Sequence, residues 1–135
     1  MAMDQDREMK DYRKEAMDFW AQARADIATA TTLLDAGIYY ASVFFSQQAA
    51  EKALKAAIVD HQHRSPKGHN LIQMANSLNA PVEIMNSAAE LNPEFMASRN
   101  PDSVDGVPAQ LYDKTSARIH LRCAQDVLDW AKGLI

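Results

Sequence analysis

The sequence predicts an all-α fold: an antiparallel up-and-down helical bundle, three long helices plus a short one, in a single domain spanning 1–135. Three observations carry that prediction. First, apolar residues recur at steps of three and four along three stretches, the spacing that places them on one helical face. They are Ala16, Trp20, Ala23, Ile27, Ala30 and Leu34; then Tyr40, Val43, Ala50, Leu54 and Ala57; then Ala117, Leu121, Ala124, Leu128, Ala131 and Ile135. Second, no stretch alternates polar and apolar residues as a strand does. Third, only Gly37-Ile38 separates the first two helical stretches, and so short a link makes antiparallel neighbours.

The first helix is expected from Asp6 or Asp11 to Ala36, with residues 1–10 as an end that frays and Gly37 as its stop. The second runs from Tyr39 to Asp60. It lacks Gly and Pro, and Ala, Gln, Glu, Lys and Leu fill its second half. Its apolar row is broken by Gln47, and the parallel row Phe44, Gln47, Glu51, Leu54, Ile58 adds a carboxylate. Polar groups on a buried face cost free energy unless they are partnered. These two therefore sit at the margin of the core or meet groups from another helix or another chain.

Residues 61–69 read as a loop around Ser65-Pro66 and Gly68. A short helix follows over about 70–78, capped by Asn70 or His69, and Pro81 opens a further turn or two through Glu90. Residues 91–108 hold Pro93, Pro101 and Pro108 and read as a long loop, a length usually found where a loop is functional or disordered. The last helix starts near Ala109 or Asp113 and ends at Gly133. Ile119, Val127, Trp130 and Leu134 spread its apolar surface beyond one face, which points to burial by a second chain.

At 135 residues, 47% hydrophobic and 24% charged, the chain has the composition of a soluble globular domain. Its apolar runs are too short to span a bilayer, and its charged N-terminus lacks the apolar stretch of a signal peptide, so a cytoplasmic setting is expected. The lone Cys123 permits no internal disulfide and reads as a small core residue. The net charge of −4 argues against a general nucleic-acid clamp. Between Lys52 and His69, however, Lys52, Lys55, Arg64 and Lys67 stand against Asp60 alone, with His61, His63 and His69 among them. That basic patch is either a solvated helix end or a seat for an anion. Glycine-rich phosphate loops are absent, and His61-Gln62-His63 is poor metal spacing; no metal or other cofactor is expected.

Gln47-Gln48-Ala49-Ala50-Glu51-Lys52-Ala53-Leu54-Lys55, preceded by an aromatic pair and followed by Gly68-His69-Asn70-Leu71, resembles the HEPN domain family. The likeness continues through Arg99-Asn100-Pro101-Asp102, Tyr112 and the amphipathic last helix. It implies an HEPN-like bundle, a homodimer, and binding of nucleotide or RNA beside a small nucleotidyltransferase, as one component of a toxin–antitoxin pair. Carried over by position, it implies phosphate or nucleotide contacts from Arg99, Lys55, Lys52, His69, Asp102 and Tyr112.

Family ribonucleases use an Arg followed four to six residues on by a His, without metal. Here Arg99 precedes Pro101 to Gly106 with no His in range, so the motif is incomplete. The resemblance thus implies the branch that does not cut RNA, with Arg99 and a spatially adjacent His69 as the alternative catalytic pair and a ligand-free dimerisation scaffold as a third reading. Ordinary structural roles are open for the same residues. Glu51 and Lys55 make an i, i+4 pair, Arg99 and Asp102 can lock the loop, His69 can cap a helix, and Tyr112 can close the bundle end.

Overall fold

The structure, a computed structural model, describes residues 2–135. The elements in order are α1 (Ala2–Asp35), α2 (Tyr39–Gln62), α3 (Leu71–Ser77), α4 (Val82–Leu91), α5 (Glu94–Ala97), a 3₁₀ turn (Pro101–Ser103), α6 (Pro108–Leu111) and α7 (Lys114–Lys132). No strand occurs among the described residues. The bundle of long antiparallel helices is α1, α2 and α7, with α3 and α4 laid against α2 and α7.

Helix α1 begins at Ala2, ahead of Asp6 or Asp11; Met1 lies outside the described residues. Gly37, at φ 77°, takes a left-handed conformation that lets the chain reverse at once into α2. The two helices then run back along each other. Ser42 Oγ donates to the Ala30 carbonyl (2.8 Å) near the turn, and Arg13 meets Asp60 (2.9 Å) at the far end. Ala23, Ala49 and Ala53 are fully buried between them, and such small side chains let the two backbones approach closely.

Helix α2 is the axis of the molecule. From Ala49 to Val59 only Lys52 escapes burial. Leu54 and Ile58 of α2, Leu71 of α3 and Leu91 of α4 are wholly removed from water, each worth about 1.5–3 kcal/mol of hydrophobic stabilisation. Helix α7 closes this core with Ala124 and Val127. Asp113 starts α7 with a reciprocal cap: its carboxylate accepts from Ser116 N (2.8 Å) while its own N–H donates to Ser116 Oγ (3.0 Å). Those bonds hold the Asp113 carboxyl below its usual range.

The segment 91–108, expected as one long loop, contains α5 and the 3₁₀ turn. The local reason is legible: Pro93 directly precedes α5, and Glu94 supplies an acidic first turn. Asn70, not His69, caps α3, its side chain accepting from Gln73 N (3.1 Å). Cys123 packs at the edge of the core, and burial pushes its thiol up and away from the reactive thiolate.

Candidate functional site

Because α2 is buried on almost every side, a polar residue on its inner rows needs a partner that comes to it. Glu51 is 1% exposed and has several. Lys55, one turn on, places its ammonium 3.3 Å from Oε2, and Lys52 lies 3.7 Å from the same oxygen. The other oxygen, Oε1, accepts from Gln47 Nε2 (3.3 Å) and from His69 Nδ1 (2.8 Å). Gln47 in turn accepts from Gln48 (2.7 Å), and Gln48 accepts from Lys52 (2.9 Å). The question left by the sequence is thereby answered: Gln47 and Glu51 lie inside the core and are partnered from within this chain.

The loop 63–70, which begins two residues later than the sequence suggests because α2 continues to Gln62, brings His69 to this carboxylate. Its imidazole also lies flat on the Phe95 ring of α5, with 3.7 Å between centroids and 15° between planes. Arg99, just past α5, sets its guanidinium 4.2 Å from the same centroid and 5.2 Å from that of Phe44 on α2. A ring stacked that closely fills the face it covers, so the guanidinium occupies the opposite face of Phe95. Arg99 Nε donates to the Phe95 carbonyl (2.8 Å), which fixes the plane of the group and leaves its outer N–H donors exposed. Among the described residues Arg99 has no carboxylate partner. An oriented guanidinium with no carboxylate partner is the group best suited to fork onto a phosphate.

Four of the residues singled out in the sequence are therefore linked: Lys52, Lys55 and His69 surround Glu51, and Arg99 joins them through the Phe95 ring that it shares with His69. One carboxylate faces Lys52, Lys55 and an imidazole, and Arg99 stands alongside. This corner carries positive charge in surplus on a chain of net charge −4. The Glu51–Lys55 pair is not the weak surface pair that its spacing suggests, since the Lys55 side chain is only 11% exposed.

The other two residues go elsewhere. Asp102 lies exposed in the 3₁₀ turn and forms no ion pair with Arg99, so the loop is not locked by that contact. Tyr112 is partly buried and donates its hydroxyl to Glu94 Oε2, a contact that closes the bundle end. Glu94 is itself 9% exposed, and its Oε1 lies 3.6 Å from Nε2 of the buried His120, which is also 3.6 Å from Glu90. His120 donates from Nδ1 to the Ser116 carbonyl (2.7 Å). Burial, and then the Glu94 carboxylate, push the Tyr112 hydroxyl above its usual range.

Sequence reasoning missed Phe95, the ring that joins His69 to Arg99, and the Glu94–Tyr112–His120 cluster behind it. One local signal was present. In a helix, Phe95 and Arg99 are i and i+4, the spacing at which a guanidinium can lie on a ring.

Three comparisons place the chain among known proteins. The family model described as HEPN domain matches residues 16–134. Among solved structures, a protein of Thermus thermophilus superposes with a TM-score of 0.84 at 27% identity, covering 90% of this chain and 98% of that one. An archaeal HEPN homologue gives 0.77 at 32% identity, with 88% and 96% covered. A HEPN domain protein of Thermotoga maritima gives 0.68 at 25% identity, with 87% and 96% covered. No curated protein matches the chain.

Proposed function

The chain belongs to the HEPN family, and from that premise we propose that it binds the phosphates of a nucleotide or RNA at the corner formed by Lys52, Lys55, His69 and Arg99. In this reading the protein is a homodimer that works with a small nucleotidyltransferase, as one component of a toxin–antitoxin pair. The observation that carries the binding is the Arg99 guanidinium, set over the Phe95 ring and hydrogen-bonded through Nε to the Phe95 carbonyl, with no carboxylate partner among the described residues. The partly exposed Lys52 and the more enclosed Lys55 supply further positive charge around Glu51, and the exposed edges of His69 and Phe95 offer a surface for a base. The dimer is supported by exposed Ile119 on α7 and exposed Leu111 on α6, whereas Val127 and Trp130, counted with Ile119 in the sequence, pack into this chain's own core.

Calorimetric titration with ATP and with a short oligoribonucleotide tests the binding. Saturable heat in the native chain, lost in Arg99→Ala and weakened in Lys55→Ala, is the expected outcome; equal heats in all three proteins would refute it. Co-expression with a neighbouring nucleotidyltransferase frame, followed by gel filtration, tests the partnership, which fails if the two elute apart. The homodimer is tested by the mass of the protein alone in sedimentation equilibrium.

A second reading has its own observation. Glu51 holds Nδ1 of His69, which sets the tautomer and leaves Nε2 as a base, and Arg99 lies across the same phenyl ring. A base on the 2′-hydroxyl with a guanidinium on the phosphate is what metal-free RNA cleavage needs. Incubation with total RNA in the presence of a chelator decides it. Cleavage that disappears in both His69→Ala and Arg99→Ala supports this reading, and intact RNA throughout rejects it.

A further inference from the structure

Helix α5 is a single turn of four residues, far too short to hold its own shape in water. Yet the site rests on it, because Phe95 receives His69 on one face and Arg99 on the other. Something outside the turn must fix its rotation. Helix α5 lies against α2, and its one buried side chain is the residue immediately before Phe95. Glu94 points into the bundle, where its two oxygens separately meet Tyr112 of the α6–α7 junction and His120 of α7.

We infer that Glu94 is the positioning residue of the binding corner: by clamping Tyr112 and His120 it fixes the rotation of α5 and so aims the Phe95 ring and Arg99. Adjacent residues on a helix project about 100° apart, so pinning one side chain dictates the direction of the next. Glu94 Oε2 takes the Tyr112 hydroxyl. Oε1 faces His120 Nε2 at 3.6 Å, and the imidazole is held from behind by the Ser116 carbonyl. The Glu94 carbonyl also accepts from Ser98 Oγ, the residue next to Arg99, so the same residue ties down both ends of the turn. Titratable groups facing the cluster are Glu90, Tyr112 and His120; only Glu90 is largely exposed. A buried carboxylate is a poor device for stability, since an apolar residue of similar volume often does as well. Its use here is directional.

This inference rests on the binding reading above, and its test is chosen to separate the two. Stacking on Phe95 imposes an upfield ring-current shift on the ring protons of His69, a signal that needs no ligand. In the full-length chain the shift is expected to collapse in Tyr112→Phe and Glu94→Gln toward the value set by Phe95→Leu, with helix content unchanged by circular dichroism. Glu90→Gln, which alters only the exposed neighbour, leaves it in place. Affinity for ATP or an oligoribonucleotide falls about tenfold in the first two variants. An unmoved His69 signal in Tyr112→Phe, the mildest change and the one least able to unfold the chain, overturns the inference. If the signal responds as expected but the native protein binds no nucleotide, the positioning stands and the binding reading falls.

Discussion

Glu51 and Glu94 are both carboxylates removed from water on helices of one small bundle, and they are served in opposite ways. Glu51 is met by Lys52, Lys55, His69 and Gln47. Two of these still reach solvent, since the His69 side chain is 46% exposed and that of Lys52 is 21% exposed. Glu94 is met by a phenol and by an imidazole that is itself almost wholly enclosed. Either carboxylate alone would cost several kcal/mol to bury. The first is compensated by groups that face outward and exceed it in charge. The second is compensated by groups that face inward. Excess cation at a surface attracts anions, whereas a closed cluster can only hold geometry.

The sharpest way to break that contrast is to remove Glu51. Glu51→Ala leaves Lys55 enclosed without a counter-charge, and the expected loss is about 3–5 kcal/mol in urea unfolding. Glu51→Gln keeps the shape and removes only the charge, so a similar loss identifies charge as the cause. If both variants unfold at the native midpoint, the cluster is not the compensated core that its burial indicates. Arg99 sets the opposite expectation. Arg99→Ala should leave stability within about 0.5 kcal/mol, being exposed. Its nucleotide affinity should fall at least about tenfold, or roughly 1.4 kcal/mol. Arg99→Lys restores the charge but not the planar, bidentate fork, and recovers only part of the binding.

The bundle itself was readable from the chain because each long helix carries its own evidence. The four-three steps of Ala16 to Leu34 and of Ala117 to Ile135 need no distant partner to be seen. The interruption at Gln47 and Glu51 was also visible, as an anomaly. Its resolution was not, because His69 lies eighteen residues further on, beyond a loop, and no local rule says where a loop returns. Glu94 and Phe95 went unread for a different reason. A one-turn helix has no periodicity to detect, and three prolines nearby weigh toward loop. His120 lies far beyond the four-to-six-residue spacing from Arg99 that the sequence pattern considers, but α7 sets it against Glu94, five residues before Arg99. For Tyr112 the sequence left open both a nucleotide contact and closure of the bundle end, and its hydrogen-bond partner, Glu94, was the missing piece.

Ionic strength offers a finer measure of the outward-facing cluster. If Lys52, Lys55 and Arg99 each neutralise one phosphate of single-stranded RNA, the logarithm of the binding constant should fall with the logarithm of salt at a slope of about −2. Arg99→Ala should reduce that slope by roughly 0.7, the share of one contact. A slope near zero would mean that no phosphates are engaged there, and Glu51 would then resemble Glu94, a carboxylate satisfied for structural reasons alone.

The smallest effect expected probes the inward-facing cluster without any ligand. Burial and the neighbouring Glu94 carboxylate both disfavour the phenolate of Tyr112, so its folded value lies above the ordinary tyrosine value of about 10. The neutral form is the one the fold stabilises. That contribution is therefore complete below the ordinary value and is lost only as the pH rises through the higher, folded one. In an alkaline titration followed by phenolate absorbance, one tyrosine should ionise late, together with unfolding, and Tyr112→Phe should delete that late phase. A phenol that titrates at the ordinary value in the folded protein would show water at Glu94. The closed character that separates this cluster from the one at Glu51 would then be gone.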